Sequence, residues 1–170
     1  MRLDIYGTPE DPLYLTRCRG IASSLPSHIR VHFLGIVRAE DVVETLRGYD
    51  ALLMPTAGEN FGHVIAEALS AACIVVTTPH TPWTALLQGG GGVVVRDRSV
   101  DAWRDSIAAL AELSVAERLR GRIAAAAAYD EWCATPKGDH IWSLAERTLS
   151  MRGSGSAAPA ERDGRTAGNA

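Results

Sequence analysis

Residues 49–78 read YDALLMPTAGENFGHVIAEALSAACIVVTT, and this stretch restricts the fold more than any other. Near its two ends lie "ALLMP" and "CIVVTT", short apolar runs in which no polar position alternates. Runs of that kind suit strands covered on both faces, whereas a strand with one wet face alternates. Between them, Val64, Ile65, Ala68, Leu69 and Ala72 recur at helical spacing and form one apolar stripe. A buried strand, an amphipathic helix and a second buried strand make a unit whose strands run parallel.

The rest of the chain repeats the alternation. Leu3–Tyr6 reads as a strand ending at Gly7. A helix follows, with Asp11 as N-cap and Pro12 at the first helical position. "RVHFLG" is a strand, and "AEDVVETLRGY" is an amphipathic helix with acids in its first turn. A very short strand is expected over Val93–Val95. Beyond Ser99 the chain turns helical: Trp103, Ile107 and Leu110 share a face, Ser114 and Glu117 have capping-box spacing, and "DHIWSLAERTLS" is a last helix. The pattern predicts an α/β fold, a Rossmann-like parallel sheet of five strands with helices on both faces. One domain over 1–149 is expected, with a disordered tail over 150–170, where glycine and alanine abound without periodicity.

Composition removes several function classes. With 46% hydrophobic residues in 170, the chain can bury a core without staples. Cys18, Cys73 and Cys133 lie far apart and form no C-x-x-C pair, which argues against a disulfide framework or a metal site. A net charge of −3 argues against a nucleic-acid surface. No apolar run reaches the length of a membrane span, and "MRLDIYG" enters a strand without a signal peptide. The expected location is cytoplasmic, at most peripheral to the inner membrane face.

In a doubly wound sheet, ligands bind at the carboxyl ends of the strands. "GTPE", "GIVR", "PTAGENFG" and "TPHTPW" all fall there. In the third, helical spacing puts His63, Glu67 and Ser70 on one stripe, away from the apolar face. Glu59 lies in the preceding turn. The amides of Asn60, Phe61 and Gly62 lie at the helix N-terminus, where they lack intrahelical partners and favour anions. Ionised carboxylates only accept hydrogen bonds, and each can take two adjacent hydroxyls. A ligand carrying both a vicinal diol and phosphate, such as a nucleotide-sugar, matches this combination. Singly, each residue has a plainer reading: Glu59 as a dipole-complementing acid, Glu67 as a solvated helix charge, and His63 as a surface or capping residue.

The ordered context adds a resemblance. "MPTAGENFGHVIAEALSAACIVVTTPHTPW" resembles the donor-binding signature of the retaining GT-B glycosyltransferases of group 1 (family four). There a strand ending in Pro-Ser/Thr is followed by E-x7-E, a helix, a small-residue turn and another strand. Pro55, Thr56, Glu59, Phe61, Gly62, Glu67 and Ala68 fall into register with it. "LDIYG", "RVHFLGIV" and "YDALLMP" resemble further elements of the C-terminal domain, so the likeness covers roughly residues 3–130. It implies that Glu67 holds ribose hydroxyls and that Glu59 faces the transferred sugar as the catalytic-site carboxylate. It further implies that Asn60, Phe61, Gly62, His63 and Val64 line the donor site, and that Gly7, Val37 and Arg38 flank the base or phosphate. "TPW", Thr81–Trp83, would shape the cleft. No metal or other cofactor is implied; the nucleotide-sugar is a substrate, and the acceptor would be a glycan or a lipid-linked sugar.

The chain departs from that pattern in two respects. On this resemblance, the chain is expected to lack the acceptor-binding domain and the first strand of the donor domain with its glycine-rich turn and basic residues. The sheet is therefore expected either to join its neighbours directly or to keep a gap. Arg38 and Arg96 are the nearest substitutes for the basic residues that steady a diphosphate. "Ala72-Cys73-Ile74" stands where the family often has Gly-x-Pro. Three readings follow: a donor-binding domain inactive without a partner half, a non-catalytic nucleotide-sugar-binding module, or a partner-binding remnant.

Overall fold

The computed structural model describes residues 1–135. The expected helix over 139–150 and the tail over 150–170 lie outside the described residues.

Five parallel strands are present, β1 (Arg2–Tyr6), β2 (Arg30–Gly35), β3 (Ala51–Met54), β4 (Ile74–Thr77) and β5 (Gly92–Val94). They form two sheets, the gapped alternative of the two expected: β1 pairs with β2, and β3-β4-β5 stand apart. Within each sheet the register is parallel, with Arg2 opposite Arg30, Ala51 opposite Ile74 and Val75 opposite Gly92. β1 and β3 share no backbone ladder, so a gap divides the strands of the chain.

β4 is buried at every position, as a strand flanked by two others and covered by helices must be. Fully burying one Val or Ile contributes about 1.5–3 kcal/mol. β3, expected to be buried on both faces, is only half-buried throughout. One of its edges carries no partner strand among the described residues, and its surface is only partly covered.

The helices are α1 (Pro12–Ser23), α2 (Val42–Arg47), α3 (His63–Ser70), α4 (Thr84–Gly89), α5 (Val100–Glu112) and α6 (Val115–Ala134). Their ends follow local chemistry. Asp11 Oδ1 accepts from the amides of Leu13 and Tyr14 at 2.9 and 3.0 Å. The Ser114 amide donates to Glu117 at 2.8 Å while the Ser114 hydroxyl accepts from the Glu117 amide at 3.3 Å, closing a reciprocal cap. The segment 39–47 begins as a single 3-10 turn, Ala39–Asp41, before α2. α4 falls within "TPWTALLQGG", where the sequence pattern had suggested no helix.

α6 lies close to the sheet because both surfaces are small. A Cβ on Gly91 would come within 2.7 Å of Ala125 Cα, and Ala125 and Ala128 are buried. The alanine run is thus a packing surface as well as a good helix former. Arg122 of α6 donates to the carbonyls of Tyr49 and Arg47 at 2.6 and 3.2 Å. That places a cation at the carboxyl end of α2, where it suits the dipole.

Side chains, not backbone, tie β1 to the start of β3. The Tyr49 hydroxyl donates to the Asp4 carboxylate and accepts from the Tyr6 hydroxyl at 2.8 Å. Asp4 also takes Arg2 at 2.9 Å and His32 Nδ1 at 2.7 Å. The bond from Arg2, followed by those from Tyr49 and His32, holds the Asp4 carboxyl well below the usual range against the opposing effect of its burial. Burial first, then the bond to Asp4, raises the Tyr49 phenol above its ordinary value.

Candidate functional site

β3 ends at Met54, and after eight intervening residues α3 begins. The loop between them, 55–62, turns on itself at once. Thr56 Oγ1 donates to the Gly58 carbonyl at 2.8 Å and accepts from the Gly58 amide at 3.2 Å. The loop ends on Gly62, buried and left-handed at φ 77°. A Cβ there would sit 3.0 Å from both Glu59 Cγ and Ile65 Cδ1, so conformation and space together require glycine. At Gly58 a Cβ would meet only the His80 carbonyl at 4.0 Å; no protein neighbour demands glycine there.

The segment after β4 holds this loop at three points. The Thr78 hydroxyl donates to the Thr56 carbonyl at 2.9 Å. The Glu59 amide donates to the His80 carbonyl at 3.0 Å. The Trp83 indole N–H donates to the Phe61 carbonyl. An aromatic group backs the last contact: Phe61 meets His63 at 4.6 Å and Trp83 at 5.8 Å, and Trp83 meets Trp132 at 4.9 Å between ring centroids.

The two glutamates emerge from this scaffold with their acceptor capacity unused. Glu59 and Glu67 are half-buried, and neither carboxylate has a hydrogen-bond or ion-pair partner among the described residues. Glu59 makes no capping bond to α3. The Asn60, Phe61 and Gly62 amides likewise donate to nothing among the described residues. His63 is exposed and Val64 half-buried, while Ile65, Ala68 and Leu69 are buried against the core. Ser70 turns its hydroxyl back onto the Glu67 carbonyl at 2.8 Å. Glu59 and the amides of the next three residues therefore lie on consecutive positions in the loop after β3, and Glu67 follows about one turn into α3.

The sequence profile of the group 1 glycosyl transferases matches residues 1–112, a span that includes the loop and α3. The chain belongs to that family. No curated protein matches the sequence. Among solved structures, the chain is similar to WaaG, a glycosyltransferase involved in lipopolysaccharide biosynthesis. Identity is 22% with a TM-score of 0.57, over 88% of this chain and 37% of that one. It is also similar to HepE from Anabaena, solved with UDP and glucose, at 16% identity and a TM-score of 0.61 over 88% and 40%. At these identities the likeness establishes the fold, an α/β arrangement of the GT-B kind. The chain spans about two-fifths of the length of these structures.

Within this glycosyl transferase domain, the other expected residues are not bonded to the loop among the described residues. Gly7 follows β1 and donates to the Gly35 carbonyl at 2.7 Å, which brings it beside the segment leading to Val37 and Arg38. No hydrogen bond, ion pair or ring contact joins Gly7, Val37 or Arg38 to residues 59–67 among the described residues. Arg38 is engaged by Glu40, with Asp41 at 3.9 Å, so its charge is partly answered within its own turn. Arg96, just past β5, is exposed and has no partner among the described residues.

Cys73 lies in the core with no exposed surface, and burial pushes its thiol up to about 11. Ala72 before it adopts φ 53°, a left-handed conformation that glycine enters without strain. Sequence reasoning missed the rungs from Thr78, His80 and Trp83. The signal available was "TPHTPW", a polar, proline-bounded segment directly after a buried strand. No group of three metal-ligating side chains occurs among the described residues, and none of the described helices is long and apolar enough to cross a membrane.

Proposed function

We propose that this domain binds the nucleotide-sugar donor of a retaining glycosyl transfer, with the acceptor side supplied by another domain or chain. The observation that carries the reading is the pair of half-buried carboxylates, Glu59 and Glu67, which have no partner among the described residues, around amides at the start of α3 that donate to none of those residues. Glu67 would accept the ribose hydroxyls. Glu59 would face the transferred sugar at the reacting region. The amides of Asn60, Phe61 and Gly62, with His63 and Val64 beside them, would contact sugar hydroxyls and the diphosphate, favoured by the positive end of the helix. Gly7, Val37 and Arg38 would flank the base or phosphate. Fixed amides and basic side chains would steady the diphosphate as it leaves, without a metal. The acceptor would be a glycan or a lipid-linked sugar, as expected for cell-envelope or polysaccharide assembly, handled in the cytoplasm.

Calorimetry with UDP, GDP and ADP tests the donor role. Glu67→Ala removes a charge-assisted acceptor and should weaken the tightest of these by about 1.5–3 kcal/mol. Equal affinity in wild type and variant would sink the role given to Glu67. A second reading, binding without catalysis, is favoured by Arg38, whose guanidinium is engaged by Glu40. It predicts nucleotide-sugar binding without transfer even when an acceptor-binding half is added.

A further inference from the structure

The peptide group joining Phe61 to Gly62 decides what the start of α3 presents to a ligand. Its carbonyl accepts from the Trp83 indole N–H. Trp83 is 2% exposed, while the Phe61 ring that precedes this peptide is on the surface. The peptide is trans, as are all in the described chain. In a planar trans peptide the C=O and the following N–H point in opposite directions. Anchoring the Phe61 carbonyl on the buried indole therefore turns the Gly62 N–H away from Trp83, and that N–H donates to no group among the described residues.

Gly62 makes this orientation easy to lose. Glycine crosses between positive and negative φ at little cost, so the 61–62 peptide can rotate unless something grips it. The two other rungs, Thr78 to Thr56 and Glu59 to His80, hold the loop further upstream. Neither touches this peptide.

We propose that Trp83 is a positioning residue for donor binding: its indole N–H sets the 61–62 peptide plane so that the Gly62 amide meets the diphosphate-sugar part of the donor. The inference rests on the donor-binding reading above and adds to it the group that orients one of its amides. Trp83 itself touches no ligand and acts through the Phe61 carbonyl. The part of the ligand affected is therefore specific. Contacts to ribose, assigned to Glu67, should survive its loss, and contacts beyond the first phosphate should not.

The test replaces the donor N–H and keeps the ring. Trp83→Phe is the simple variant. Replacement of Trp83 by 3-benzothienylalanine is the stricter one, because sulfur takes the place of N–H in a bicycle of nearly the same shape. Each full-length protein is titrated with the diphosphate and the monophosphate of the nucleoside that wild type binds best among UDP, GDP and ADP. Thermal unfolding is recorded alongside. The expected result is a loss of roughly tenfold or more in diphosphate affinity, little change for the monophosphate, and a retained unfolding transition for the benzothienyl protein. Equal weakening of both nucleotides, or no weakening in the folded benzothienyl protein, overturns the proposal. Glu67→Ala separates the two levels of inference. If it weakens both nucleotides while the Trp83 replacements weaken neither, only the role of Trp83 falls. If wild type binds no nucleotide, the donor reading falls and takes this inference with it.

Discussion

The two sheets are made of similar strands and end in different surroundings. In the β1–β2 sheet no residue is buried, and α1 beside it buries none either. Leu13, Ile21 and Ile36 are 79%, 65% and 74% exposed. In the β3–β4–β5 sheet, β4 is buried throughout, and Ile65, Leu69, Val75 and Leu87 are sealed between strands and helices. The first unit relies on a polar cluster around Asp4, the second on apolar packing. A parallel strand is stable when both edges are paired and both faces are covered; β4 meets the condition and β1 does not.

The largest effect that could break this contrast is in the core. Leu69→Ala should cost about 2–5 kcal/mol, whereas Ile21→Ala on α1 should cost under about 0.5 kcal/mol. Chemical denaturation of both variants decides the matter, and equal losses would mean that α1 is covered in solution.

The Asp4 cluster comes next. Asp4→Ala leaves the half-buried Tyr49 hydroxyl and His32 without their acceptor and should cost about 1–3 kcal/mol. The loss should appear as faster amide exchange in β1 and β2, with β4 unchanged; uniform acceleration would show that the two sheets open together. The pH dependence has a definite sign. The folded Asp4 carboxyl lies below its ordinary value, so its contribution is complete above about pH 4 and declines as pH falls through the folded value. Wild type should lose β1–β2 protection in that acid range, and Asp4→Asn should show a flatter acid limb. Because the Arg2 side chain is 61% exposed, added salt should weaken part of the effect.

The smallest expected effect sharpens the description of the compact half. Ala72 holds a left-handed conformation at the α3–β4 turn. Ala72→Gly should raise stability by about 1 kcal/mol, seen as a higher denaturation midpoint. A decrease would show that the methyl group packs usefully despite its strain.

Much of the architecture could be read from the chain in advance. The Asp11 cap, the Ser114–Glu117 pair and the burial of β4 are consequences of neighbours within a few positions or of an unbroken apolar run. β3 has the same kind of run, yet its strand is half-buried, because coverage depends on which strand lies alongside. The candidate site divides in the same way. Glu59, Glu67 and the glycine between them stood out by spacing and residue type. The rungs that hold their loop come from residues 78–83, about twenty positions away, and left no periodic trace.

The sequence by itself determined the α/β class, the caps at Asp11 and Ser114, and the glycosyl transferase family to which the chain belongs. Those depend on local backbone preference and on periodicity, which each segment expresses alone. Only the tertiary structure decided that the strands divide into two sheets. It also turned the Phe61 carbonyl toward Trp83 and left both glutamates without a partner among the described residues. Each of those outcomes is a contact, or the lack of one, between groups far apart in the chain, and it exists only once packing has brought those groups together.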